Sequence, residues 1–158
     1  MSMTAFCIVA GIGAIMAMCY KLDVPVSFEV SDLEWFGPSN RQFEEASMLF
    51  NISVDFTPLV HVNTRLFYTY IIAEWSKGDN DSHSVILWNK LVKREVPQLV
   101  AANERGNFTF RQVGVPMKGK SVNLSFRIQL VPYIGFFRTK TLATKTYTFP
   151  KNYMKASE

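Results

Sequence analysis

No charged side chain occurs before Lys21, and that absence divides the chain in two. The stretch Thr4–Cys19 is apolar in character and rich in Ala, Gly and Ile. Met3 to Tyr20 would make about 27 Å of helix at a rise of about 1.5 Å per residue. That length matches the hydrocarbon core of a thin bilayer. A soluble domain does not begin this way, so the segment is expected either to stay in a membrane or to be removed.

Two fates are open to it. A cleaved signal peptide needs an apolar core and small residues before the cut, and Ala17-Met18-Cys19 supplies a version of that ending. An uncleaved anchor needs only the length. No Lys or Arg precedes the run, so the positive-inside rule gives no orientation. Ala10, Gly13, Ala14 and Ala17 fall three or four residues apart and share one helix face. Small residues there would let a neighbouring transmembrane helix approach closely, although signal sequences have the same composition. The two cysteines, Cys7 and Cys19, would stand about 18 Å apart on a helix, beyond disulfide reach. Everything after residue 20 must therefore hold together by its core.

That remainder alternates with a period of two. Val122, Leu124, Phe126, Ile128 and Leu130 are separated by Asn123, Ser125, Arg127 and Gln129, the pattern of a half-buried strand. Phe50, Ile52, Val54 and Phe56 repeat it, and Asn107–Arg111 is a shorter copy. Leu66–Trp75 is apolar on both faces, as a central strand is; Ser84–Val92 follows it, Thr141–Phe149 closes the series and Val24–Val30 opens it. Turn chemistry separates the runs at Gly37–Asn40, Lys77–Asp81 and Pro116–Gly119. Residues 94–104 have room for one helical turn, limited by Pro97. Aromatics at 14% agree with strands, and 48% hydrophobic against 19% charged residues excludes a disordered chain or a coiled coil. About seven strands with no long amphipathic helix predict an antiparallel β-sandwich over residues 21–158.

Chemistry-bearing motifs are sparse. The net charge of +4 is scattered, which gives no nucleic-acid surface. His61 and His83 have no metal-ligand spacing, no phosphate loop or Gly-x-Ser-x-Gly elbow occurs, and no cofactor, metal or enzymatic activity is expected. The aromatic and basic run Tyr133–Arg138 reads as a packed loop rather than a base-stacking platform. Asn-x-Ser/Thr is the one motif that repeats, at Asn51, Asn80, Asn107 and Asn123. Three of these, Asn51, Asn107 and Asn123, fall on the polar faces of alternating strands, where a glycan is tolerated and a secretory lumen is implied.

In order and spacing, several segments together resemble signal peptidase complex subunit 3 of eukaryotes. They are Val24-Pro25-Val26, Phe50-Asn51-Ile52, Leu66–Trp75, Val85–Val92, Gly119–Ser125, Val131-Pro132 and Phe149-Pro150 with Tyr153. The resemblance implies a single-pass endoplasmic-reticulum protein. Residues 1–2 would be a minimal cytosolic tail, 3–20 an uncleaved signal-anchor and 21–158 a luminal domain. It implies a non-catalytic accessory subunit whose partners are the catalytic and other subunits of the signal peptidase complex. Asn123 falls where the family carries its glycosylation sequon, with Asn51 and Asn107 ranked behind it. Family members usually have a longer tail before the anchor. The rival expectation is a free-standing secreted or membrane-attached β-sandwich that binds an extracellular ligand after loss of a signal peptide.

Overall fold

The computed structural model describes residues 3–19, 21, 23–40, 43–78, 81–113 and 116–154. The described elements are one helix, α1 (Met3–Cys19), a 3-10 turn at Thr57–Leu59, and eight strands. The strands are β1 (Val26–Asn40), β2 (Phe43–Asp55), β3 (Thr64–Gly78), β4 (Asp81–Lys93), β5 (Gln98–Arg105), β6 (Phe110–Val113), β7 (Ser121–Pro132) and β8 (Arg138–Thr148). They form two sheets, one in the order β1-β2-β5 with β6 also on β2, the other β4-β3-β7-β8. Every pairing is antiparallel, as expected of the sandwich. α1 covers the apolar segment as far as Cys19, and Tyr20 lies outside the described residues. Among the described residues no helix is long and apolar enough to cross a membrane.

The alternating runs supply the core. Val122, Leu124, Phe126, Ile128 and Leu130 of β7 are all buried, and so are Phe50, Ile52 and Val54 of β2 and Phe56 just beyond it. Aromatic rings bridge the sheets along this seam. Phe28 meets Phe126 at 6.0 Å between centroids, Phe56 stacks on Phe67 at 4.9 Å, and Phe110 meets Phe149 at 5.2 Å. Such tilted and offset pairs add to the area they bury. Ile71 lies opposite Trp88 but Ile72 lies opposite Ile86, a bulge that turns both Leu87 and Trp88 inward. The Trp88 Nε1–H then donates to Glu104 Oε1 at 3.1 Å, which satisfies the indole and ties β4 to β5.

Three local expectations need correction. β1 does not stop at Val30 but runs through Gly37 and Pro38 to Asn40, with register shifts on the way. It is the edge of its sheet, where a proline without an N–H interrupts no second ladder. Residues 98–105 form β5 rather than a helical turn, because β2 offers them a free edge. A bulge there puts Asn103 at φ 49, and its N–H is accepted by Asn51 Oδ1 at 2.7 Å. Finally, β6 begins only at Phe110, so Asn107 sits in a bend and not on a strand.

Gly106 is fixed by close approach. A Cβ there would stand 2.8 Å from the Leu87 carbonyl oxygen, while its N–H is held by Met48 O. Gly106→Ala is expected to destabilise the domain by about 1–3 kcal/mol. Phe126→Ala, which empties the centre of the seam, should cost about 3–5 kcal/mol. Urea denaturation followed by tryptophan fluorescence measures both.

Candidate functional site

The strongest concentration of polar anchoring lies where β3 starts and β7 ends. The 61–64 turn is closed by His61 N–H donating to Thr64 Oγ1 and by Thr64 N–H donating to His61 O, both at 3.0 Å. Asn63 projects from it and clamps the 133–137 loop. Its Oδ1 accepts from Ile134 N at 3.0 Å, its Nδ2 donates to Ile134 O at 2.6 Å, and its carbonyl accepts from Tyr133 N at 2.9 Å. The same Nδ2 reaches Gly13 O of α1 at 3.5 Å. Gly135, at φ +114, completes the contact, since a Cβ there would lie 3.4 Å from Ala14 Cβ. Arg94 braces the turn by donating to Val62 O at 3.2 Å.

Of the small-residue stripe, Gly13 and Ala14 thus meet this chain's own loop. Ala10 is half-buried, and the side chain of Ala17 lies outside the described residues. Between α1 and the sandwich is a cleft of about 610 Å³. Val9 and Ile12 form one wall; Val60, Val62, Leu130 and Pro132 form the other. His61 lies at this cleft, and burial holds its imidazole below the ordinary histidine pKa.

The Tyr133–Arg138 run is not the packed loop that its composition predicts. Tyr133, Phe136 and Phe137 are 60%, 83% and 60% exposed, and Val62 beside them is 89% exposed. The clamp uses the loop's backbone and Gly135, which leaves the rings outside.

The sequons occupy three different settings. Asn123 is exposed on the outer face of β7, between Glu74 of β3 and Thr146 of β8, and its Oδ1 accepts from Thr146 Oγ1 at 3.1 Å. Its partner hydroxyl residue, Ser125, is only 6% exposed, although its position in the alternation predicts an outward, open side chain; its ladder neighbours Ile72 and Thr144 flank it. Asn51 supports the β5 bulge. Asn107 Nδ2 donates to Asn89 O at 3.0 Å and Asn89 Oδ1 at 2.7 Å, pinning its bend to β4. Asn80 lies outside the described residues.

His61 and His83 stand at opposite ends of β3. His83 stacks on Trp75 at 5.7 Å between centroids, and Trp75 Nε1–H donates to Gln112 Oε1 at 2.8 Å. Among the described residues no group of three His, Cys, Asp or Glu side chains converges on a metal position. Sequence reasoning did not identify Asn63 and Gly135. Their only local signal is turn chemistry, because the hydrogen bonds that matter join residues 71 positions apart. Asn63→Ala should lower stability by about 1–2 kcal/mol and open the 133–137 loop to limited proteolysis, with the cut mapped by mass spectrometry.

Comparison with known proteins places these features. A family model described as signal peptidase subunit matches residues 1–152, spanning α1 and the sandwich. A relative named signal peptidase complex subunit 3 from Dictyostelium discoideum is 22% identical over 132 residues, covering 84% of this chain and 77% of that protein. Proteins of the same name from Caenorhabditis elegans and Homo sapiens are 26% and 28% identical over 140 and 120 residues. They cover 79% and 71% of this chain and 77% and 66% of their own lengths. With helix and sandwich both inside one family match, the chain belongs to the signal peptidase subunit family.

Proposed function

We propose that this chain is a single-pass accessory subunit of the endoplasmic-reticulum signal peptidase complex, with its β-sandwich in the lumen. The observation that carries the reading is the family match across residues 1–152, which takes in the apolar helix as well as the domain. It supports an accessory subunit, without catalysis of its own, over a free-standing ligand-binding sandwich. The catalytic and other subunits of the complex are then its partners, and the domain's part is to hold the catalytic subunit in shape.

Two sequence features support the topology. No charge occurs between Met1 and Tyr20, so α1 belongs to an apolar run of a length that suits a thin bilayer. Residues 3–20 serve as the uncleaved anchor. The sequons lie only in the part assigned to the lumen. Asn123 is the proposed glycosylation site, because its amide stands exposed on a strand whose opposite face is core. Asn51 and Asn107 are placed behind it, since their amide groups hold a bulge and a bend.

Affinity purification of the tagged chain from detergent-solubilised membranes should recover the catalytic subunit. Recovery of the chain alone would sink the proposal. Endoglycosidase treatment should speed the protein's migration on a gel, and Asn123→Gln should remove most of that shift while changing stability by less than about 0.5 kcal/mol. A sample that migrates identically before and after treatment, from a host that glycosylates Asn-x-Ser/Thr, would count against a luminal domain.

A further inference from the structure

We infer that the 133–137 loop is a second membrane contact, inserting Phe136 and Phe137 into the lipid interface beside α1. The inference rests on the reading of α1 as an anchor. Two independent observations carry it: where the loop is tied, and what it exposes.

Gly135 packs on Ala14, and Asn63 joins Ile134 to the Gly13 carbonyl, so the loop is held to the helix by its backbone. Ala14 lies five residues before Cys19, about 7.5 Å of helix at about 1.5 Å per residue. A bilayer that receives α1 up to Cys19 therefore meets the loop at the depth where interfacial aromatic side chains reside. The exposed side chains suit that depth. Phe136 is the most exposed aromatic of the described residues, and Tyr133, Phe137 and Val62 share its end of the sandwich. Exposed apolar clusters of this kind mark interaction surfaces. The cleft between α1 and the sandwich is lined mainly by apolar side chains, with His61, Asn63, Thr64 and Arg94 among them.

The test uses the full chain, with Cys7→Ala and Cys19→Ala, reconstituted in phosphatidylcholine vesicles. A single cysteine at Phe136 (Phe136→Cys), labelled with an environment-sensitive fluorophore, is compared with one at Ser82 (Ser82→Cys), exposed at the opposite end of β4. Retention on the vesicles after alkaline carbonate washing reports α1 separately. With the protein retained, lipid-borne nitroxide should quench the Phe136→Cys label at least about twofold more than the Ser82→Cys label, as expected for an interfacial group. A retained protein whose Phe136→Cys label is quenched only by aqueous iodide would overturn the insertion and leave the anchor standing. Loss of the protein on washing would overturn the anchor and the insertion with it. Protection from both quenchers in the assembled complex would assign the loop to a protein partner and overturn the lipid contact.

Discussion

The sandwich depends on the apolar seam between its sheets. Beyond Cys19 the chain has no cysteine and so no disulfide to close it. What holds β1, β2, β5 and β6 against β4, β3, β7 and β8 is burial of facing side chains, with Phe28, Phe126, Phe56, Phe67, Phe110 and Phe149 as the ring contacts that cross or cap the gap. Burying a side chain of this size contributes on the order of 1.5–3 kcal/mol. Two polar groups drawn into the seam are paired: Trp88 donates to Glu104, and Thr69 Oγ1 donates to Lys90 O at 2.7 Å. An unpaired indole at that depth would offset much of the gain.

The seam leaves the two ends of the sandwich chemically unlike. At one end Glu44, Glu45, Arg111, Lys118 and Tyr153 form a charged and solvated cluster. Arg111 pairs with Glu45 and lies over the Phe43 ring, and Lys118 lies over Tyr153. The Tyr153 hydroxyl donates to Glu44, and that bond holds its pKa above the ordinary tyrosine value. At the other end Asn63 and Arg94 turn onto loop backbones, and Val62, Tyr133, Phe136 and Phe137 face out. Asn63 is responsible for much of this inversion, because one amide satisfies main-chain groups of Ile134 and reaches Gly13.

β7 and β2 were legible in the sequence because each is paired on both edges and its apolar side chains are buried on one face, so burial and alternation largely report the same thing. β1 and β5 were not. β1 crosses a Gly-Pro pair that by local rules ends a strand, and its continuation depends on its place at a sheet edge, where Phe36 also exchanges main-chain hydrogen bonds with Met154 at 3.1 and 2.8 Å. β5 carries a bulge at Asn103 that interrupts its alternation, and it is a strand because it pairs along the edge of β2 that β1 does not take. Asn107 and Ser125 fail for the same kind of reason, one displaced into a bend by its bonds to Asn89, the other covered by neighbours from β3 and β8.

Sequence by itself determined the apolar helix, the antiparallel sandwich and most of its core, because hydrophobic periodicity and the absence of charge act over short stretches of chain. Tertiary structure alone decided which end of the sandwich the helix meets, that Gly13 and Ala14 face the chain's own loop, and that the aromatic run after Pro132 points outward. Those outcomes turn on Asn63 finding Ile134 across 71 residues and on Gly135 adopting a φ of +114. Hydrogen bonds formed at such separation leave no period in the sequence. They exist only once the two sheets have closed and brought the loops at one end into register.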